Sequence, residues 1–380
     1  NNQYFFTNLE DFDFKFEILN NEKIIQKDIF NFNLKPQQSK IIKIPIPNDL
    51  LDEIELKQEF NDYFLNIYAF LKEDKNLIPS GHLMASEQLE IQKSKVYYEI
   101  TNTKRPIKTE LNENTFKIYN DKIEIIFNRK TGELINYLVK NNEFVNRSPH
   151  LNFWRVPIDN DYGNNLPERS KEWKYASYNR QLSSFNHNVI NNNVVEVVVQ
   201  YELKNIDSSY TSTFLINSEG EIKVSNDFKY KGKLIDAEMP RFGMNFQIPS
   251  LYENVSWYGR GPHENYIDRR DSAFFGIYKS SVNDLSFDYS RPQENGYRTE
   301  TKWLKLTDKN GTGIIIFGDP EFSFSAHYNT IEDFDDGIRE NKTGQNLSAR
   351  SRIVKKQRKP INLNKRNFIS LNIDLKQMGV

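Results

Sequence analysis

Two glutamates carry the most chemistry in this sequence, because each stands in the same four-residue setting: Pro262-His263-Glu264-Asn265 and Pro292-Gln293-Glu294-Asn295. Each kernel places a turn former, a carboxylate and an amide side by side. Opposed carboxylates are the equipment of glycoside cleavage, about 5 Å apart for retention and roughly 6.5–9.5 Å apart for inversion. Their neighbours point to a different use. Arg260, Arg269, Arg270, Arg291 and Arg298 flank the kernels, and guanidinium pairing holds a carboxylate ionised, which suits a structural anchor better than a general acid. The expected partners of Glu264 and Glu294 come from Arg260, Arg269, Arg291 and Arg298.

His263 lies beside Glu264, and His327 follows farther along. Together with a carboxylate they raise a rival enzyme reading, a mutarotase-like sugar epimerase, in which one group protonates the ring oxygen and another deprotonates the anomeric hydroxyl. No other pattern supports that site, and both histidines are expected to face solvent or pack within loops. Asp159, Asn160 and Asp161 offer oxygens to a hard cation. Counting from Asp161, however, puts Gly163 third and Leu166 where a calcium loop needs glycine, so turn capping is the expected role. Trp154 and Arg155 suit a sugar pocket by stacking and hydrogen bonding, or a core residue beside a buried Arg–carboxylate tie; the second reading is preferred. Neither a Gly-x-Ser-x-Gly elbow nor a glycine-rich phosphate loop occurs.

Three stretches, Phe153 to Asp161 (FWRVPIDND), Trp257 to Arg270 (WYGRGPHENYIDRR) and Arg291 to Arg298 (RPQENGYR), resemble in that order the motifs FWRxPxDND, GxGPxENYxDR and RPxENGxR. Those motifs belong to the β-galactosidases of glycoside hydrolase family 2. The resemblance runs from about Phe5 to the last residue. It implies an immunoglobulin-like β-sandwich over residues 1–95, a linker over 96–114, and a small-chain β-supersandwich of galactose-mutarotase type over 115–380, C-terminally incomplete. It further implies that the catalytic glutamates lie in an upstream barrel, so that this chain holds no catalytic residue. The parent would hydrolyse terminal β-galactosides with retention, as a homo-oligomer, while this portion shapes the active-site rim and supports assembly. Trp154, Arg155, Asp159, Asn160, His263, Glu264, Asn265 and Glu294 are the candidate substrate-facing residues, with a structural role favoured for the two glutamates. No cofactor is expected in this chain; Mg and Na are compatible with the parent family. The alternative to the accessory role is a carbohydrate-binding or interaction module with no part in catalysis.

The chain carries 51 basic and 52 acidic residues, a formal net charge of −1, which provides no long-range field for nucleic acid or anionic lipid. Its longest apolar run, near Ile314 to Phe317, is too short to span a bilayer. No nucleic-acid or membrane partner is expected, and a soluble protein is. Without cysteine, disulfides and thiolate chemistry are excluded, while periplasm and cytoplasm both stay open. Starting at Asn1 without an initiator Met or leader, the chain reads as a piece of a longer polypeptide.

Short runs rich in Phe, Tyr, Ile and Val alternate with Asn, Asp, Lys and Gly, and no long stretch keeps a 3.6-residue period, so the fold class is all-β. Strands are expected at Phe12 to Leu19, Lys40 to Ile46 (with Pro45 and Pro47 blocking its extension), Tyr63 to Leu71, Val194 to Leu203, Tyr210 to Ile216 and Glu221 to Tyr230. Lys93 to Asn114, charged and interrupted by Pro106, reads as connection. Phe116 to Phe127 opens the second unit, and the turn at Asn128 to Gly132 predicts a hairpin with Glu133 to Tyr137. Helices should be few beyond a turn near Pro167 to Lys174.

Overall fold

The computed structural model describes residues 1–380 apart from 45, 57–60, 95–97, 102, 104, 231–237, 336–362 and 380. The chain is all-β and falls into two compact units, one of Asn1–Tyr97 with Asp271–Ile277, the other of Tyr98–Arg270 with Tyr278–Val380. Among the described residues no helix is long and apolar enough to cross a membrane.

In the first unit, strands β1 (Phe12–Asn20), β2 (Lys23–Phe30), β3 (Tyr63–Leu71) and β4 (Leu83–Gln92) form an antiparallel sheet in the order β2-β1-β3-β4, with helix α1 (Asn48–Leu56) between β2 and β3 in sequence. Asn20 pairs with Lys23, so the hairpin turn is only two residues long. Asn21 supplies its left-handed residue (φ 54°), which a short amide side chain tolerates. Phe16, Ile18, Tyr63 and Phe64 are buried. Gln88 extends this order through its side chain, which donates to the Phe275 carbonyl at 3.1 Å and accepts the Phe275 N–H at 2.5 Å, while Phe64 stacks on the Phe275 ring.

The strand expected at Lys40 to Ile46 does not form. Its described residues lie outside any strand and Ile41 is 92% exposed; an alternating run becomes a strand only where another strand pairs with it. Pro45 lies outside the described residues. The unexpected helix α1 begins just past Pro47, whose carbonyl accepts from Leu50 and Leu51, and buries Ile54.

The second unit holds three antiparallel sheets. Strands β5 (Lys108–Leu111), β6 (Thr115–Tyr119), β7 (Ile123–Asn128), β8 (Leu134–Val139) and β9 (Asn142–Glu143) pair in sequence order. Thus β5 falls in the stretch read as connection, and Phe116 to Phe127 is two strands, folded at Asn120, whose Oδ1 accepts the N–H groups of Lys122 and Ile123. The hairpin at Asn128 to Gly132 forms as expected. After β10 (Arg147–Asn152) come three short helices, α2 (Asp159–Gly163), α3 (Leu166–Arg169) and α4 (Lys171–Tyr178). A meander follows: β11 (Gln181–Asn191), β12 (Val194–Leu203), β13 (Ser208–Asn217) and β14 (Ile222–Tyr230).

The remaining strands are β15 (Arg241–Pro249), β16 (Asn254–Gly261), β17 (Phe274–Ser281), β18 (Arg298–Thr307), β19 (Gly313–His327) and, after helix α5 (Ile331–Phe334), β20 (Phe368–Gln377). With β10 they make a seven-stranded sheet ordered β10-β15-β20-β19-β18-β16-β17.

Alternation decides the packing. Val195, Val197, Val199, Tyr201 and Leu203 of β12 all point to one side and pack in one core with Phe116, Ile118, Ile125 and Phe127, which closes the four- and five-stranded sheets into a sandwich. One face of the seven-stranded sheet buries Trp257, Leu304, Phe324 and Leu371. Its β20 neighbours of opposite parity, Ser370, Asn372 and Asp374, are buried too. Such polar groups need partners: Asn372 accepts from Asn245 at 3.0 Å and donates to Ser325 at 3.0 Å.

Close backbone approach governs the turn between β18 and β19. A Cβ on Gly313 would lie 1.9 Å from the Leu306 carbonyl oxygen and 2.7 Å from Thr307 Cα. Because both obstacles are backbone, Gly313→Ala should destabilise the protein by about 1–3 kcal/mol in urea denaturation. An unchanged midpoint would mean that the strand pair yields freely.

Candidate functional site

The three motif stretches converge through buried ion pairs in the second unit. Arg155, at the end of the chain segment leaving β10, is wholly buried and makes a two-pronged contact with Asp161, at 2.6 and 3.0 Å. Asp161 also accepts the N–H of Ile158 at 2.8 Å, so one carboxylate both caps α2 and holds the arginine. Trp154 is buried among Val156, Leu166, Ile331 and Phe334, with its indole N–H on Asp335 at 3.3 Å. Asp159 and Asn160 are exposed; Asp159 pairs with Arg291, whose guanidinium lies over the Tyr162 ring.

Glu264 is held by three donors: Arg269 at 2.7 Å, the Gly296 N–H at 2.8 Å and the Tyr289 hydroxyl. Asn265 accepts the N–H and hydroxyl of Thr299 at 3.0 and 2.6 Å and donates to the His263 carbonyl at 3.1 Å, tying its kernel to β18. His263 itself is exposed. Arg298 donates to the carbonyls of Leu285 and Gly296, both at 2.7 Å, and to that of Pro262 at 3.1 Å. Burial pulls its pKa down to about 10, against the attraction of Glu264, and leaves it charged at neutral pH.

Glu294 corrects the expected pairing. Its partner is Arg241, outside the flanking set, at 2.6 Å, and its second oxygen accepts the Val156 N–H at 3.0 Å. Arg241 is fully buried at the head of β15 and also reaches Asp374 at 3.1 Å, the Gln377 amide oxygen at 3.1 Å and the Trp154 carbonyl at 3.3 Å. One cation therefore ties the first and third motifs to the sheet. Burial works against its charge, but Asp374 and Glu294 outweigh that and raise its pKa. Asp374 carries the opposite signature: desolvation lifts its pKa to about 7 despite Arg241, with Glu294 adding to the rise. Two carboxylates share one guanidinium, and enclosure makes Asp374 a weaker acid than an ordinary aspartate.

His327 is likewise buried. One ring nitrogen meets the Asn295 carbonyl at 2.9 Å and the other the Ser286 hydroxyl at 3.1 Å, and desolvation lowers its pKa. Gly296, at φ 68°, is required beside it, because a Cβ there would come within 2.8 Å of the imidazole. Among the described residues no cluster of three or more His, Asp or Glu is arranged to hold a metal.

Arg241, Asp374 and Gln377 escaped sequence reasoning because none lies in a motif. The signal was a polar row, Ser370-Asn372-Asp374, alternating with Ile369, Leu371 and Ile373 where an ordinary half-buried strand would face water.

Antiparallel sandwiches whose loops are fixed by an inward-facing Arg–carboxylate framework define the class: an all-β domain protein with anchored loop motifs. The chain belongs to the β-galactosidase small-chain family, which matches residues 119–380, and residues 1–92 match β-galactosidase domain 4. Curated relatives include the β-galactosidases of Priestia megaterium (28% identity over 86% of this chain and 31% of the relative), Clostridium acetobutylicum (28%, 74% and 30%) and Pseudoalteromonas haloplanktis (28%, 82% and 32%). The chain thus spans about a third of the length of these relatives.

Proposed function

We propose that this chain is the non-catalytic portion of a retaining β-galactosidase of glycoside hydrolase family 2, acting with an upstream catalytic barrel on terminal β-galactosides. The observation that carries the reading is the engagement of both kernel glutamates: Glu264 and Glu294 spend their oxygens on arginines and backbone N–H groups. A general acid needs a proton to give, and a nucleophile needs a free lone pair facing the anomeric carbon. Neither glutamate is poised for those tasks. Their work is to set the rim loops Phe153 to Asp161, Trp257 to Arg270 and Arg291 to Arg298, from which the exposed Asp159, Asn160 and His263 face outward.

The purified chain should leave a chromogenic β-galactoside intact over hours, and should give turnover when supplied with the barrel portion of its parent. Hydrolysis by the chain alone, lost in Glu264→Gln or Glu294→Gln, would overturn the accessory role. The mutarotase alternative has no observation in its favour, since His327 is committed to Ser286 and Asn295.

A further inference from the structure

We propose that one end of the first unit is a docking surface for the catalytic barrel of the parent enzyme, with Phe5, Phe6 and Leu77 as its anchors. This rests on the reading of the chain as one portion of a longer galactosidase, and adds the surface by which the two portions hold together. Phe6 is 98% exposed, Phe5 74% and Leu77 100%. Apolar side chains so fully in water mark a contact surface when the backbone beneath them is fixed.

Here it is fixed from several sides. Asn2 is buried, and its side chain donates to the carbonyls of Thr7 at 2.8 Å and Leu34 at 2.9 Å while accepting the Tyr4 N–H at 3.0 Å. Its backbone N–H donates to the Gln38 carbonyl and its carbonyl accepts from Gln37, both at 2.9 Å. Gln37 stands in the left-handed region at φ 58°, which disfavours a residue of its type. From there its amide donates to the carbonyls of Gln3 and Tyr4, each at 3.0 Å. The chain is thus pinned on both sides of Phe5 and Phe6, whose ring centroids lie 6.4 Å apart. The tip between β3 and β4 lies alongside. Lys75 and Ile78 exchange backbone hydrogen bonds at 2.9 and 3.0 Å around Asn76, at φ 54°, and Leu77. The Lys75 ammonium then reaches the Thr7 hydroxyl at 3.4 Å and Asp11 at 3.2 Å, which joins the tip to the loop.

Anchors held in place lose little freedom on binding, and each phenylalanine offers a partner about 150–250 Å² of surface. Shape and charge select the occupant. The anchors project, so the partner has to be concave and apolar, whereas a second copy meeting end to end brings the same projecting tips. Glu10, Asp11, Glu73 and Asp74 flank the tips in the chain against Lys72 and Lys75, a balance that gives an anionic lipid surface no attraction. The same charges make a polar rim around an apolar centre, as in contacts between folded protein surfaces. Because the chain spans about a third of its relatives' length, the larger part of the parent is available to receive them.

The test compares this chain with the intact parent. The chain has no cysteine, so Phe6→Cys and Leu77→Cys each place one thiol in it, and maleimide labelling is followed by mass spectrometry of the peptide concerned. In the chain alone both thiols should react as fast as a free thiol, and in the parent at least about tenfold more slowly. Photocrosslinking from p-benzoylphenylalanine in place of Phe6 should then capture peptides of the parent's barrel. Equal labelling in chain and parent, or a crosslink to a second copy or to any region other than the barrel, would overturn the proposal. So would binding of the chain to phosphatidylcholine–phosphatidylglycerol vesicles that Phe6→Asp abolishes. Turnover of a chromogenic β-galactoside by the parent is read separately: turnover with equal labelling sinks the docking surface alone, and absence of turnover sinks the hydrolase reading whatever the labelling.

Discussion

Replacing Arg241 with Met should lower the stability of the protein by about 3–5 kcal/mol, because it strands Glu294 and Asp374 as uncompensated carboxylates in a dry interior. The aliphatic chain of Met fills much of the space, so packing loss contributes little and the effect reads the charge. Arg241→Lys should recover only part, since one ammonium cannot span Glu294, Asp374, Gln377 and the Trp154 carbonyl together. Urea denaturation at pH 7.5 measures both. A loss no greater than that of an exposed arginine, for instance Arg366→Met, would mean that water compensates the carboxylates and the framework is weaker than its geometry.

Asp374 should make stability fall as pH rises. Its folded pKa of about 7 stands above the ordinary aspartate value of 3.8, so between those limits the folded chain holds a proton that the unfolded chain has released. The stabilisation is complete below about pH 4 and lost as pH passes through about 7; the whole displacement corresponds to roughly 4 kcal/mol. Other groups superimpose their own dependence, so the comparison is with Asp374→Asn, which keeps the shape and cannot ionise. The difference in unfolding free energy between wild type and variant should move steadily in favour of the variant from pH 4 to pH 8. A constant difference would show that Asp374 does not titrate in this window.

Much of the all-β architecture was legible because it follows from alternation. Val194 to Leu203 reads as a strand, and its odd-numbered residues fill the sandwich core. The turn at Asn128 to Gly132 was legible for a local reason, the side chain of Asn128 accepting the N–H groups of Lys130 and Thr131. Lys40 to Ile46 failed because its alternation equals that of true strands, and pairing is decided by distant residues. The site divides in the same way. Arg269 reaches Glu264 from five positions away in the chain, which proximity suggests, whereas Glu294 and Asp374 meet Arg241 from 53 and 133 positions away. Only the folded sheet brings them together.

The composition of the first unit has a consequence for anyone exchanging parts between relatives. Residues 271–277, the heptapeptide DSAFFGI, group with Asn1–Tyr97 although 173 residues of the second unit, Tyr98–Arg270, intervene. A single recombination point near residue 97 therefore separates Gln88 from the backbone of Phe275 that it was matched to, and Phe64 from its stacking partner. Inheritance of the first unit is genetically discontinuous: a viable chimera has to carry two blocks from one parent, and substitutions at Gln88 and within DSAFFGI should be tolerated as sets rather than singly.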